Sequence, residues 1–196
     1  MPTPRPPIIV GIAGGSASGK STLTRALAEM LQQYHVIVIN ADRYMRKNID
    51  DPDTPTFYSP SSGTTMFDAN HPNSINWTAM LYDLDALLKG TERPEVLLIE
   101  GHLLFCEQRV RERLHIRIFI ELDADERALR RMLRDMQGGR TSRDPVFIAN
   151  YYRECARVGH ARYIEPSRVH ADLIVRGDAD WKRLGPMLST LIESRI

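Results

Sequence analysis

The feature that most constrains how this chain can fold is a glycine-rich run, GGSASGKS, at positions 14–21. The run fits the pattern G-x-x-x-x-G-K-[ST]. It lies between a short apolar segment at 8–13 and a segment whose apolar residues have helical spacing. Gly14 and Gly19 allow backbone conformations that a Cβ atom would forbid, so successive N–H groups and the helix N-terminus can point at phosphates. The run therefore predicts a strand, a phosphate-binding loop and a helix.

In such a loop the lysine reaches the β- and γ-phosphates of a nucleoside triphosphate, and the hydroxyl that follows it ligates Mg²⁺. We therefore expect Lys20 to be a catalytic cation and Ser21 to be a metal ligand. The predicted nucleotide contacts in this run are Gly14, Gly15, Ser16, Ala17, Ser18, Gly19, Lys20, Ser21 and Thr22.

Short apolar runs alternate with helical patterns along the rest of the chain, which predicts an α/β fold with a parallel sheet covered on both faces. Residues 41–73 show no sustained periodicity and are expected to form a long functional loop. Further strands are predicted at 36–39, 95–100, 116–122 and 171–175. Helices are predicted at 20–33, from an N-cap at Ser74 to Gly90, from an N-cap at Asp123 to Gly138, at 144–164, and at the C-terminus with an interruption near Gly185 and Pro186.

Composition limits the partners that such a chain can have. At 196 residues and 42% hydrophobic content, residues 8–196 are expected to form a single domain after a disordered Pro-rich tail at 1–7. A formal charge of +1 gives no general attraction to nucleic acid or to a membrane surface. Cys106 and Cys155 fit neither a metal site nor a disulfide framework, and no apolar run approaches the roughly 18 residues that span a bilayer. We therefore expect a cytoplasmic protein with a small-molecule partner.

Two carboxylates follow predicted strands. Glu100 ends the third strand, where a protein with a phosphate-binding loop needs a carboxylate to hold the metal directly or through water. Asp42 lies just past the second strand, at the end that borders the ligand crevice of an open parallel sheet, where it can accept the proton of an attacking hydroxyl. The alternatives are a solvated strand-end acid for Glu100 and a cap or turn residue for Asp42.

Six arginines lie between positions 127 and 143: Arg127, Arg130, Arg131, Arg134, Arg140 and Arg143. Mobile arginines that close over a nucleotide would neutralise the transferring phosphoryl group and exclude water. We therefore assign an Arg-rich lid at about 137–145, with Arg134 and Arg143 as candidate catalytic residues and Arg140 as a nucleotide contact. The alternative is that Arg127, Arg131 and Arg134 form the solvated face of an amphipathic helix. The apolar residues of that helix are Leu129, Met132, Leu133 and Met136.

Together these motifs resemble those of the uridine kinase and phosphoribulokinase group of P-loop kinases, with similarity to nicotinamide riboside kinases. The run GIAGGSASGKST at 11–22 reads almost letter for letter like the start of a uridine kinase. YIEPS at 163–167 and ADLIV at 171–175 resemble a later uridine kinase segment. IEGHLLF at 99–105 is similar to IEGFLLF of nicotinamide riboside kinases, in which the glutamate binds the metal.

The resemblance implies a P-loop NTPase-type three-layer fold whose five-stranded parallel sheet has the order 2-3-1-4-5. It implies transfer of the γ-phosphoryl group of ATP to the 5′-hydroxyl of a ribonucleoside, uridine or cytidine, with Asp42 as the base. Mg²⁺ would then lie at Ser21 and Glu100. Uridine kinases are often homo-oligomers, so the resemblance is compatible with self-association.

The chain departs from the uridine kinase pattern on the nucleoside side. The run DANHPNS at 68–74 corresponds to their NFDHPDA, so Asn70 replaces the sugar-binding aspartate, and Tyr151 stands where they often have Gln. Residues 89–95 leave no room for their base-reading hairpin. The expected acceptor contacts are Asp42, Tyr44, Asn70, His71, Arg134 and Tyr151.

Three functions therefore stay open for the acceptor side. The first is a uridine or cytidine kinase. The second is a nicotinamide riboside kinase or a kinase of another ribosyl metabolite. The third, of another class, is an NTP-binding regulator without a metabolite acceptor.

Overall fold

Five parallel strands form the central sheet of the protein. The computed structural model describes residues 6–138 and 142–196. The strands of the described chain are β1 (Ile8–Gly14), β2 (Val36–Asn40), β3 (Thr56–Ser59), β4 (Thr64–Phe67), β5 (Val96–Glu100), β6 (Ile116–Glu121) and β7 (Leu173–Arg176). Its α-helical segments are α1 (Lys20–Met30), α2 (Trp77–Lys89), α3 (Gln108–Arg111), α4 (Ala124–Met136), α5 (Pro145–Tyr151), α6 (Arg157–Gly159), α7 (Glu165–Ser167) and α8 (Trp181–Glu193).

The sheet has the strand order β2-β5-β1-β6-β7, and every neighbouring pair is parallel. Counted along the chain without the separate pair β3 and β4, this order is 2-3-1-4-5, so the expected fold class is confirmed. The side chains of β1 alternate between two apolar clusters, since Val10 and Ile12 pack with one and Ile9 with the other. Such two-sided burial is typical of a parallel sheet between helical layers.

Helices cover both faces of the sheet. Leu27 of α1 and Leu188 of α8 belong to the cluster on one face, and Met80 and Leu84 of α2 belong to the cluster on the other. No helix among the described residues is long and apolar enough to cross a membrane. The three layers leave the carboxyl ends of the strands as the open edge of the sheet, which is where ligands bind in open α/β sheets.

Several predicted element boundaries are wrong. The N-cap of α2 is Asn76, whose Oδ1 accepts a hydrogen bond from the Ala79 N–H at 3.1 Å, whereas Ser74 is buried and bonds the Ala69 carbonyl. Helix α1 ends at Met30 rather than 33. Helix α8 runs as one element from Trp181 to Glu193 with Pro186 inside it, so the predicted interruption is wrong.

The loop predicted at 41–73 contains an antiparallel hairpin. Strands β3 and β4 pair across a turn in which Gly63 has φ +66°. The hairpin is joined to the helical segment that follows α5, because Glu154 accepts hydrogen bonds from the Ser59 hydroxyl at 2.6 Å and from the Ser61 N–H at 3.1 Å. Each strand has only four residues, which is too short for a period of two to stand out in the sequence.

Helix α4 turns its polar face inward and its apolar face outward. Arg127 is 8% exposed and Asp135 is 1% exposed, whereas Leu129 and Leu133 are 58% and 61% exposed. The alternative of a solvated arginine face is therefore wrong for Arg127, and also for Arg131, whose side chain is mostly buried. Asp123 occupies the N-cap position, but its carboxylate pairs with Arg176 instead of capping the helix.

The inverted face of α4 can be tested by a matched pair of Leu→Ala changes. L27A removes a fully buried side chain and should lower the free energy of unfolding by about 2–5 kcal/mol. L133A removes an exposed side chain and should change it by less than about 0.5 kcal/mol. Urea-induced unfolding measures both changes. A loss for L133A comparable to that for L27A would contradict the exposed placement of Leu133.

Candidate functional site

The loop between β1 and α1 has the conformation that its glycines predicted. Gly14 and Gly19 have φ +139° and φ +103°, which side chains with a Cβ rarely adopt, and Ala17 is also left-handed at φ 64°. Gly19 is the N-cap of α1 and offers no side chain to its first N–H groups. Lys20 curls back over the loop and donates hydrogen bonds to the carbonyls of Gly14 at 3.0 Å and Gly15 at 2.8 Å. The loop thus gathers N–H donors and a cation at a helix N-terminus, as a phosphate-binding site requires.

Glu100 lies at the carboxyl end of β5, next to the phosphate loop. Its Oε1 accepts hydrogen bonds from the Ser21 hydroxyl and from the Asn40 amide, both at 3.0 Å. The residue is 6% exposed, and its Oε2 is buried with no hydrogen-bond partner among the described residues. A buried carboxylate oxygen without a donor, beside a serine hydroxyl, is a donor set that suits Mg²⁺, which takes one or two protein oxygens together with substrate phosphates.

Asp42 lies just past β2, in a 3₁₀ turn formed by Ala41–Tyr44. Its backbone N–H donates to Asn40 Oδ1 at 2.8 Å, and its side chain is 19% exposed. One carboxylate oxygen lies 3.3 Å from Nδ1 of His102, which follows β5. Asn40 therefore connects the Asp42 backbone to the carboxylate of Glu100.

The arginines of α4 are held in place by a buried carboxylate. Asp135 lies 2.8 Å from Nε of Arg134 and 3.5 Å from Nε of Arg131. Arg134 also reaches Ser16 Oγ of the phosphate loop at 3.5 Å, and Arg130 donates to the Gly177 carbonyl at 3.1 Å. Because a buried carboxylate needs cations beside it, Asp135 keeps Arg131 and Arg134 turned toward the loop.

These groups open onto one cavity of about 730 Å³. Its polar part contains the phosphate loop, the Asp42 and Glu100 carboxylates, and the α4 arginines. Its apolar part is formed by Met45, Met66, Phe67, Phe147 and Tyr151. Phe147 stacks on Tyr151 with ring centroids 6.3 Å apart, and the Arg131 guanidinium lies 5.4 Å from the Tyr151 ring. The cavity can therefore hold a charged group and a flat apolar group side by side.

Comparison with known proteins identifies the family. The AAA domain family matches residues 10–157. The uridine kinase of Deinococcus deserti is 33% identical over 190 residues, which cover 86% of this chain and 87% of that protein. The uridine kinase of Chloroflexus aggregans is 31% identical over 192 residues and 87% of each chain. The chain belongs to the uridine kinase family.

Solved structures agree with this fold. A putative fructose transport system kinase from Silicibacter sp. TM1040 superposes with a TM-score of 0.64 at 20% identity, covering 89% of this chain and 92% of the other. A possible uridine kinase from Bacillus stearothermophilus gives a TM-score of 0.55 at 15% identity, with 88% and 90% covered. At these identities the two structures support the fold alone.

Within the uridine kinase family pattern, two of the predicted acceptor contacts do not line the cavity. Tyr44 donates its hydroxyl hydrogen to Asp83 of α2 at 2.9 Å. His71 packs edge to face on Tyr163 at 5.1 Å, and its ring nitrogen accepts from the Asn73 N–H. Both side chains are engaged with the surrounding fold, and their role as acceptor contacts stays a prediction.

Two other predicted acceptor contacts, Asn70 and Tyr151, do line the cavity. Asn70 is 4% exposed and donates to the sulfur of Cys155 at 3.2 Å. Tyr151 donates to the Phe67 carbonyl at 3.3 Å, which ties the hairpin to α5. Arg143 is exposed and lies against Gly138, and Arg140 lies outside the described residues, so the lid arginines beyond α4 stay a prediction.

Sequence reasoning missed several residues that the structure brings to the site. His102 and Asn40 lie at strand ends, next to Glu100 and Asp42, and this position in the sequence could have indicated them. Asp135 and Phe147 carried no such signal, because only the inverted packing of α4 places Asp135 beneath the arginines and only the fold of α5 places Phe147 on the cavity wall.

His160 lies directly beneath the phosphate loop, where a Cβ on Gly15 would meet its ring at 3.1 Å. Burial, together with the nearby Arg127 and Lys20, lowers the pKa of His160 to about 4. Glu165 lies 3.4 Å from its Nε2 and acts in the opposite direction, but burial and the cations outweigh it. His160 is therefore neutral in the folded protein at neutral pH.

This lowered pKa predicts a loss of stability in acid. Between the ordinary value of 6.5 and about 4, the unfolded chain binds a proton at His160 that the folded chain does not, so stability falls as the pH drops. From pH 7 to pH 5 this group should cost about 2 kcal/mol. H160Q should remove that part of the loss in urea unfolding at the two pH values. The same change at the exposed His35 is the control. Equal losses for wild type and H160Q would show that the imidazole is not buried neutral.

Proposed function

We propose that the protein transfers the γ-phosphoryl group of ATP to the 5′-hydroxyl of a ribonucleoside, with uridine or cytidine as the first candidates. One observation carries the proposal: the phosphate loop, the Ser21 and Glu100 pair, and the Asp42 carboxylate all face a single cavity with an apolar wall. A phosphate site, a metal site and a candidate base in one space are the parts that phosphoryl transfer to an alcohol requires.

In the proposed reaction the acceptor oxygen attacks the γ-phosphorus in line with the leaving oxygen of ADP. The bond from the acceptor oxygen to phosphorus forms, the bond from phosphorus to the bridging oxygen breaks, and the hydroxyl proton passes to Asp42. Lys20 and the α4 arginines Arg130, Arg131 and Arg134 stabilise the negative charge on the phosphoryl oxygens. Bound Mg²⁺, held by Ser21 and Glu100, would supply further charge neutralisation on the phosphates.

The proposal treats residues 8–196 as one catalytic domain with a lid at about 137–145. The lid would close over the nucleotide and exclude water, which competes with the acceptor hydroxyl as nucleophile. Its anchor would be Asp135, because the buried pairing of this carboxylate with Arg131 and Arg134 ties the end of α4 to the phosphate loop.

The cavity favours a neutral acceptor with a flat ring. Met66, Phe67, Phe147 and Tyr151 provide an apolar surface on which a base can lie. Lysine and arginine side chains around the same cavity would repel a cationic ring such as the pyridinium of nicotinamide riboside. The relatives that are named uridine kinases point to the same acceptor class.

The short connection between α2 and β5 supports a second class of acceptor, other ribosyl metabolites. Strand β5 follows α2 after residues 90–95 alone, with no strand between them, so the base-reading hairpin typical of uridine kinases has no place there. Nicotinamide riboside kinases also lack it. Kinases of other ribosyl metabolites therefore belong in the same experiment. The position of Asp42 on the cavity, where a base can meet an acceptor hydroxyl, argues against a regulator without an acceptor.

The proposal predicts ATP consumption that depends on an acceptor. With Mg²⁺ present, ADP formation should rise with uridine or cytidine more than with nicotinamide riboside, ribulose 5-phosphate or pantothenate. A turnover of about 1–100 s⁻¹ is ordinary for kinases. K20A, which removes the phosphate-binding cation, should abolish it. Absence of turnover with every ribosyl acceptor would defeat the proposal.

The role of Asp42 has its own test. D42N keeps the size of the side chain but removes the base, so acceptor-dependent turnover should fall by at least about 100-fold. The affinity for an ATP analogue should change little, because the phosphate loop is untouched. D50N makes the same substitution at an exposed position and should keep full activity. Full acceptor-dependent turnover in D42N would contradict the role of Asp42 as base. ATP hydrolysis that needs no acceptor and is unchanged in D42N would favour the regulator alternative.

A further inference from the structure

His102 occupies a place between the candidate base and the acceptor side of the cavity. It follows β5 by two residues and is 7% exposed. Its Nδ1 lies 3.3 Å from Asp42 Oδ1, and its Nε2 lies 2.9 Å from the Ala69 carbonyl oxygen. One buried ring thus touches the base and the segment that lines the acceptor space.

The hydrogen-bonding partners fix the orientation of this ring. The Ala69 carbonyl and the Asp42 carboxylate can only accept, so the ring makes both contacts with a hydrogen on each nitrogen: Nε2 donates to Ala69, and the Nδ1 hydrogen faces Asp42. The Ala69 carbonyl also accepts from the Ser74 hydroxyl at 3.2 Å, and the Ala69 N–H points to the Tyr151 hydroxyl at 3.4 Å. Because Ala69 is held on both sides, the imidazole is held too, and its other nitrogen is directed at Asp42.

The chain around His102 is packed closely against the chain around Asp42. A Cβ on Gly101 would lie 2.8 Å from the Cβ of Ala41, so the two segments approach closely only because residue 101 is glycine. The Asp42 backbone is fixed separately by Asn40. Asn40 therefore holds the main chain of the base, while His102 contacts its carboxylate.

We propose that His102 is a positioning residue that holds the Asp42 carboxylate in the orientation needed to accept the acceptor hydroxyl proton. Asp42 Oδ1 faces the imidazole and is buried, whereas the side chain as a whole keeps 19% exposure. The ring thereby directs the other carboxylate oxygen to the cavity. Through Ala69 it also sets the distance between the base and the acceptor wall. This inference rests on the proposed kinase function.

Two amide side chains separate the two contacts of the ring. In H102N the amide nitrogen takes the place of Nδ1 and keeps the contact to Asp42. In H102Q the amide nitrogen takes the place of Nε2 and keeps the contact to Ala69. H102F keeps the ring and removes both nitrogens. The three variants are compared with wild type for kcat and KM with uridine, KM for ATP, and melting temperature.

A carboxylate that is free to turn away from the reacting atoms should lower kcat by about tenfold to a hundredfold in H102F, with the KM for ATP unchanged. H102N should recover most of that loss, and H102Q should remain as slow as H102F. A kcat for H102F within about twofold of wild type would overturn the inference, and so would equal recovery by H102N and H102Q, which would indicate a packing role.

If H102F does not fold, H102N and H102Q test the inference by themselves: a higher kcat in H102N supports it, and equal kcat values overturn it.

The activity of the wild type distinguishes a failure of this inference from a failure of the proposed function. An active wild type with unaffected variants defeats the role of His102 and leaves the proposed function standing. A wild type that phosphorylates no ribosyl acceptor defeats both.

Discussion

The buried carboxylate of Glu100 is the constraint on which the rest of the site depends. It ends strand β5, which lies between β2 and β1, and it is in register with Ile12 of β1 and Asn40 of β2. Removing a carboxylate from water is costly unless hydrogen bonds and charges compensate it. Ser21 and Asn40 supply two hydrogen bonds to one oxygen, and the other oxygen has no hydrogen-bond partner among the described residues. A divalent cation is the partner that completes this arrangement in the function we propose.

The same carboxylate links the elements of the site to one another. Ser21 belongs to α1, and Asn40, through its own Oδ1, holds the backbone of Asp42. The phosphate loop, the candidate metal site and the candidate base therefore share one short chain of hydrogen bonds at the carboxyl edge of the sheet.

Helix α4 is oriented opposite to the usual amphipathic helix, with its polar face toward the site. Its inward face carries Arg127, Arg131 and Asp135, and its outward face carries Leu129 and Leu133. Apolar residues normally turn toward a core. Here the neighbouring surface is the phosphate loop, and the buried Asp135 holds arginines beside it, where they add positive charge for an anion on the loop N–H groups.

Much of the fold was predictable because its signals are local. The loop at 14–21 combines a residue pattern with a strand before it and a helix after it, and the apolar runs of β1, β5 and β6 are continuous because both faces of the sheet are buried. The strand order came from family resemblance. Glu100 and Asp42 could be placed near the loop, since carboxyl ends of parallel strands share one edge.

The remaining features depend on contacts between distant parts of the chain. The hairpin β3 and β4 is too short to show a period, and it is held by Glu154 from a distant helical segment. The inversion of α4 and the contact of His102 with Asp42 arise only when the elements pack together. The N-cap of α2 is Asn76 and not Ser74, whose hydroxyl donates instead to the Ala69 carbonyl.

In the proposed function Asp42 accepts the proton of the reacting hydroxyl, while Ser21 and Glu100 bind the metal. The most direct measurement is a crystal structure of the protein with Mg²⁺, a non-hydrolysable ATP analogue and the acceptor that supports turnover. We expect the 5′-oxygen within about 2.6–3.2 Å of an Asp42 carboxylate oxygen, and the metal bound by Ser21 and Glu100. A 5′-hydroxyl directed away from Asp42, with another group in hydrogen-bond reach, would contradict it.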